Sequence, residues 1–317
     1  MDDAAVTAGP SYTIIGTGAL GGYYGARLHH AGADVGFLLN TDYEHVREHG
    51  LTVESVDGDF SIERPRIYAG TDTLEPADVA LVCLKTTHNH LLPELLPAAS
   101  RPDGVVVVMQ NGLFMEDLAA AAVPGRTVLG AMAFLCSNKV GPGHIRHLDY
   151  GGIRVGQYSA EGRPAGLTAA VRSVGAVFGR AGIHVDLEAD LLTARWKKLV
   201  WNVPYNGMCV VHDTTTDVLM NAPEMRARCE SIMYEVTVAA AACGRPVDPS
   251  FVEEMMTTTD RMASYKPSML LDYRAGRPME VEAIYGNPLR AAEAAGASCP
   301  LIRELYEQLC ELGRRSP

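Results

Sequence analysis

The chain has 317 residues, 47% of them apolar and 21% charged, a balance that builds packed cores in about two domains and excludes disorder, collagen and coiled coil. A formal net charge of −11 gives no general basic field for nucleic acid or anionic lipid. No apolar run approaches the ~18 to 20 residues of a membrane span, so neither a nucleic-acid partner nor a membrane association is expected. The start, Met1-Asp2-Asp3-Ala4-Ala5, lacks the basic and apolar regions of a signal peptide. The seven cysteines are scattered, with no C-x-x-C pair. They read as reduced thiols of a cytoplasmic protein rather than as a disulfide framework or a zinc site.

Residues 1–10 are expected to form a disordered leader. From Ser11 the chain reads strand (12–15), Gly-rich turn (16–22), helix (23–31) and strand (35–39). Asp57-Gly58 marks a hairpin turn between 51–55 and 60–62. Residues 79–84 and 105–109 are continuous apolar runs, as in strands buried on both faces. Between them, 89–99 has helical spacing interrupted by Pro93 and Pro97. Residues 127–157 read as several short strands broken at Gly141-Pro142-Gly143 and Gly151-Gly152. Beyond about Asp186 helical patterns take over: 188–208, 223–243, 249–262, 280–296 and 300–313. Gly207, Gly244, Gly276 and Gly296 read as breaks or C-caps.

Gly16-Thr17-Gly18-Ala19-Leu20-Gly21 follows a predicted strand and opens a helix, the context that gives G-x-G-x-x-G its meaning. Gly16 permits the tight turn, Gly18 lets the backbone approach a pyrophosphate, and Gly21 allows helix–strand packing. The fold class is therefore α/β: a Rossmann-type, mostly parallel sheet domain (11–186) followed by an all-helical C-terminal domain (187–317), the latter read as a substrate and dimerisation domain. An acid after the second strand would bind a ribose 2′-hydroxyl and an arginine a 2′-phosphate. Asn40 does neither strongly, Asp42 reads as a helix cap, and the choice between NAD and NADP stays open. Lys85 and Gln110-Asn111 end strands at the carboxyl edge, where ligands bind in such sheets.

In the helical half, Lys198, Asn202 and Asn206 are spaced i, i+4, i+8 and share one helix face, with Pro204 expected to kink it. A surface stripe is the plainer reading of that row. Glu280 follows Pro278 at a helix start, where capping would explain it. His45/His49, His88/His90 and His144/His147 lack companion ligands, so no metal is expected.

Taken in order, G-T-G-A-L-G-G (16–22), L-K-T (84–86), Q-N-G (110–112), W-K-K-L-x-x-N-x-x-x-N (196–206), S-M-L-x-D (268–272) and E-V-E (280–282) resemble the ketopantoate reductase (2-dehydropantoate 2-reductase) family. The resemblance implies NAD(P)H-dependent reduction of a 2-keto acid, 2-dehydropantoate to pantoate in pantothenate synthesis. Lys198 would then be the proton donor, with Glu280 beside the substrate hydroxyl and the nicotinamide. Asn111, Asn202, Asn206 and Ser268 would hold the substrate. Gly16, Thr17, Gly18, Ala19, Leu20, Gly21, Asn40, Lys85, Asn111 and Glu280 would contact the cofactor, expected to be NADP. Burial and Lys197 would lower the Lys198 pKa, and Glu280 would raise it.

Two positions depart from the family pattern: Asn40 stands where an arginine is common, and Tyr265 where an asparagine is common. The first leaves NAD open, and the second leaves room for a different 2-keto acid or an imine. A nucleotide-sensing protein without turnover is the alternative outside enzymology. A homodimer through the helical domain is the expected assembly.

Overall fold

Strands β1 (Ser11–Ile15), β2 (Asp34–Leu38), β3 (Leu51–Ser55), β4 (Phe60–Ile62), β5 (Arg66–Tyr68), β6 (Ala77–Val82), β7 (Ser100–Val108), β8 (Thr127–Gly141), β9 (His144–Gln157) and β10 (Val185–Glu188) form one sheet. The computed structural model describes residues 9–315, so most of the expected leader lies outside the described residues. The strand order is β4-β3-β9-β8-β7-β6-β1-β2-β5, with β10 on β9. Seven of the nine pairings are parallel, with β3–β4 and β8–β9 antiparallel, so the sheet is mostly parallel. Ile14, Leu81 and Val107, on the adjacent β1, β6 and β7, are sealed from solvent, which is why these runs lack the alternation of a half-exposed strand. Helices α1 (Ala19–His30), α2 (Tyr43–His49), α3 (Leu92–Ala99), α4 (Met115–Ala122) and α5 (Ala169–Arg180) accompany the sheet.

The 51–62 hairpin forms as expected, with Gly58 at φ +111°. The 127–157 region differs from the several short strands expected. It is one long hairpin, β8–β9, turning at Gly141-Pro142-Gly143, and Gly151-Gly152 stays within β9. A register shift between Phe134 and Leu135 opposite those glycines takes up the irregularity, as a bulge does.

Two compact units result. The first holds the sheet and comprises the described residues to Gln110 together with Glu116–Leu191; the second comprises Asn111–Met115 and the residues from Leu192 onward.

The second unit is helical: α6 (Leu191–Val211), α7 (Thr216–Asn221), α8 (Pro223–Ala242), α9 (Ser250–Arg261), α10 (Ser268–Arg274), α11 (Asn287–Ala294, entered through a π-turn at Glu282–Gly286) and α12 (Pro300–Arg315). Gly244, Gly276 and Gly296 end helices at positive φ, as C-caps do. Gly207 does not. It lies inside α6, where a methyl group would collide with Leu305 and approach the Tyr285 hydroxyl. The same helix runs unbroken through Pro204, because Trp196, Leu199, Val200 and Val203 are buried in the core of the unit and that packing outweighs proline's local cost. Among the described residues no helix is long and apolar enough to cross a membrane.

Candidate active site

The first unit places its polar loops along one sheet edge. Because β1, β2, β6 and β7 run parallel, the turns after them emerge together. They carry Gly16–Gly21, Asn40, Lys85 and Gln110 respectively, at the edge where open α/β sheets bind ligands. Gly16 sits at φ +95°, and a Cβ there would lie 2.7 Å from the Leu84 nitrogen. A methyl group on Gly21 would run into the Gly16 carbonyl oxygen and the side chains of Ile14 and Cys83. Gly18, the N-cap of α1, has nothing within 4 Å of its Cβ direction. Two glycines are thus consumed by the turn and its packing, and the third leaves open space at a helix N-terminus whose N–H groups favour phosphate. This cradle fits a dinucleotide. Thr17 donates its hydroxyl to the Leu38 carbonyl (3.1 Å), tying the loop to β2; Ala19 and Leu20 begin α1.

After β2, Asn40 is exposed and its carbonyl accepts from the Tyr43 amide at 3.3 Å. Asp42 stands at the N-cap of α2 but makes no side-chain capping bond. Its carboxylate, on a residue 5% exposed, instead pairs with Lys139 of β8 at 2.6 Å and accepts the Gly143 amide at 2.9 Å. Those partners hold Asp42 below its ordinary range against the opposing effect of burial. The expected capping role is replaced by a bridge to the β8–β9 hairpin, which a sequence separation of about a hundred residues conceals. Partly buried Lys85 precedes a 3-10 turn (Thr86–Leu91), and its carbonyl accepts from His88. Gln110 is spent structurally, donating to the Leu84 carbonyl (3.0 Å) and the Asn89 amide oxygen (2.6 Å).

The second unit brings Lys198, Asn202, Asn206, Ser268 and Glu280 toward a common region. Asn202 and Asn206 are buried on the face of α6 that carries Lys198. Asn206 donates to the Asn202 carbonyl at 3.0 Å and accepts the Met269 amide at 3.4 Å, so it joins α6 to the start of α10, where Ser268 is the first residue. The Asn202 side chain takes no hydrogen bond from the described residues. Glu280 is 5% exposed, and its carbonyl accepts from Ile284 at the start of the following helix. Asn111-Gly112-Leu113 packs against the same helix. Leu113 donates to the Ala283 carbonyl (3.0 Å), and Gly112, at φ +91°, lies against Ala283 where no side chain would fit.

The half-buried Lys198 has its pKa lowered to about 7, chiefly because the surrounding protein removes the ammonium from water. Arg195 pushes the same way and Glu280 opposes them. Lys197 has no part in this; its ammonium lies 5.8 Å over the Phe251 ring. The cation that matters is Arg195, 2% exposed and one turn earlier on the helix. Its i, i+3 spacing from Lys198 is a signal the sequence carries and the motif reading passes over. Tyr265 is held by Thr216, exchanging backbone and hydroxyl hydrogen bonds with it, and its ring lies 6.2 Å from that of Trp201. Among the described residues no three His, Cys, Asp or Glu side chains gather as metal ligands would, and all seven cysteines are unbridged.

Known proteins resemble the chain along nearly its whole length. Residues 12–160 match the family model "Ketopantoate reductase PanE/ApbA", and 190–312 match its C-terminal counterpart. A 2-dehydropantoate 2-reductase of Nostoc sp. is 48% identical over 305 residues, 96% of each chain. One from Halobacterium salinarum is 30% identical, over 95% of this chain and 98% of its own. The crystal structure of 2-dehydropantoate 2-reductase from Geobacter metallireducens superposes with a TM-score of 0.90 at 36% identity, covering 95% of this chain and 99% of that one. With both parts of the family model matched in order along nearly its whole length, the chain belongs to the ketopantoate reductase family.

Proposed function

We propose that the protein reduces 2-dehydropantoate to pantoate with a nicotinamide dinucleotide, NADPH being the assigned donor, in the formation of pantothenate. The observation that carries this reading is Lys198: an ammonium brought to about 7 by desolvation, on a face shared with two buried asparagines and under the influence of buried Glu280. A stripe serving only solubility would leave its lysine in water with an ordinary pKa.

The bound dinucleotide would supply the hydride to the keto carbon. Gly16, Thr17, Gly18, Ala19, Leu20 and Gly21 would hold its pyrophosphate, and Asn40 and Lys85 its adenosine end. Asn111 and Glu280 are assigned to it by resemblance to the family. As charge develops on the keto oxygen, Lys198 stabilises it and passes its proton to that atom. A pKa near 7 favours this transfer, since about half of the acid is protonated at neutral pH and that proton is given up readily. Glu280 keeps that proton from being lost too early. The Asn202 amide, which takes no hydrogen bond from the described residues, would hold the substrate together with Asn111, Asn206 and the Ser268 hydroxyl.

NADPH is favoured because the acid nearest the end of β2, Asp42, is turned inward onto Lys139 and does not offer a ribose 2′-hydroxyl the usual carboxylate. Exposed Val238 and Tyr234 on α8 form an apolar surface suited to a homodimer. A cytoplasmic location accords with the cofactor and the unbridged cysteines.

The test is the steady-state rate with 2-dehydropantoate and a panel of other 2-keto acids and imines, each with NADPH and NADH. The reading expects 2-dehydropantoate to give the highest kcat/KM. A higher value for another substrate would reassign the enzyme, as Tyr265 allows, and dinucleotide binding without oxidation across the panel would make it a sensor.

A further inference from the structure

Between β2 and α2 nearly every residue is pinned. The Leu38 carbonyl is held by Thr17, the Leu39 amide donates to the Tyr68 carbonyl (3.0 Å), and the Asn40 carbonyl is held by Tyr43. Asp42 receives Lys139, Gly143 and the Thr41 hydroxyl (3.2 Å). The exposed Asn40 amide is therefore presented on a fixed loop, and a compensated ion pair lies two residues from it. Lys139 keeps 32% of its side chain exposed. It is one of only five lysines in the chain, and its ammonium carries a charge that a phosphate near Asn40 would feel unless Asp42 neutralised it.

We infer that the Asp42–Lys139 pair sets the discrimination between NADPH and NADH. Asp42 masks the Lys139 ammonium and so limits the attraction for a 2′-phosphate, while Lys139 keeps the Asp42 carboxylate from repelling one. Neither side chain is a direct ligand; both act through the field at the loop that carries Asn40. The inference rests on the dinucleotide reading of the glycine loop, and not on the identity of the keto acid.

The pair makes an opposite-signed prediction that a purely structural bridge does not. Asp42→Asn uncovers the ammonium and should tighten NADPH relative to NADH. Lys139→Met uncovers the carboxylate and should do the reverse. Each shift in the ratio of dissociation constants should be about threefold or more, as expected for one unit charge acting at close range through partly aqueous surroundings. Lys139→Arg, which retains the pair, should keep the wild-type ratio, and the Asp42→Asn/Lys139→Met double variant should return close to it because the charges leave together.

The measurement is titration of the intact protein with NADPH and with NADH, followed by nucleotide fluorescence, without keto acid. Failure of the wild-type protein to bind either dinucleotide would remove the reading beneath the inference. Normal wild-type binding with both single variants shifted in the same direction, unshifted, or still displaced in the double variant would overturn the inference alone.

Discussion

Arg195 and Lys198 stand one turn apart on α6, and the buried guanidinium adds to the larger effect of burial in lowering the pKa of the ammonium. Two like charges so close on one helix cost stability, and Glu280, buried nearby, offsets part of that cost. The trio poises a lysine that water would leave charged far above neutral pH.

If Lys198 is the acid, kcat/KM should fall as pH rises through about 7, because a lowered lysine pKa means the proton is lost there rather than above 10. Replacing Arg195 by Met removes a lowering influence and should move this alkaline limb to higher pH, while Arg195→Lys should hold it. Glu280→Gln removes a raising influence and should move it to lower pH. Lys198→Ala should abolish the limb and reduce kcat by about 10²-fold or more. pH–rate profiles of the four variants test the assignment, and near-normal turnover of Lys198→Ala would reject it.

The glycine loop separates fold from function within three residues. Gly21→Ala forces a methyl group against the Gly16 carbonyl, a backbone atom that cannot swing aside, and should cost about 1–3 kcal/mol of stability by overpacking. Gly18→Ala meets nothing in the protein, and φ −87°, ψ −157° is open to alanine. Its stability should stay within about 0.5 kcal/mol of wild type, while dinucleotide affinity falls about tenfold or more as the methyl group enters the phosphate's space. Thermal unfolding and cofactor titration on the same two proteins would show whether the two losses divide this way.

Patterns confined to one element are legible in the sequence. The doubly buried strands, the glycine loop and the i, i+4, i+8 row on α6 each declare themselves within about a dozen residues. Relationships closed by distant pairing are not. Nothing in the sequence around Lys139 points to Asp42 until β8 brings the two together, and Gly151-Gly152 reads as a strand break until the facing bulge shows how β9 accommodates it. Gly207 reads as a helix end because the partner that requires it, Leu305, lies on another helix. Arg195 is within reach of helix geometry alone, one turn before Lys198, but it lies outside the W-K-K-L-x-x-N-x-x-x-N motif.

Gly207→Ala should lower stability by about 1–3 kcal/mol, since the added methyl meets Leu305 and crowds Tyr285. Leu305→Ala on its own should also destabilise, by cavity formation. Combined, the two changes should cost less than their sum, because one vacates space the other fills. Additive unfolding free energies would mean that the glycine is needed for backbone freedom and not for helix packing.

Asn202 and Asn206 share a helix face but not a role. Asn206 has its donor on the Asn202 carbonyl and its acceptor on the Met269 amide, so truncating it unties α10 from α6. Asn206→Ala should lower the unfolding free energy by about 1–3 kcal/mol, the cost of leaving a buried amide unpaired, and should raise KM partly through a displaced Ser268. Asn202, buried like its neighbour, makes no such tie among the described residues. Asn202→Ala should leave the melting temperature nearly unchanged and raise KM for the keto acid about tenfold, the loss expected of one hydrogen bond to a charged ligand. Steady-state kinetics and thermal unfolding on both variants give the contrast. A destabilised Asn202→Ala protein with unchanged KM would show that this amide serves the fold, and the substrate would then have to be held from α10 and the segment around Asn111 instead.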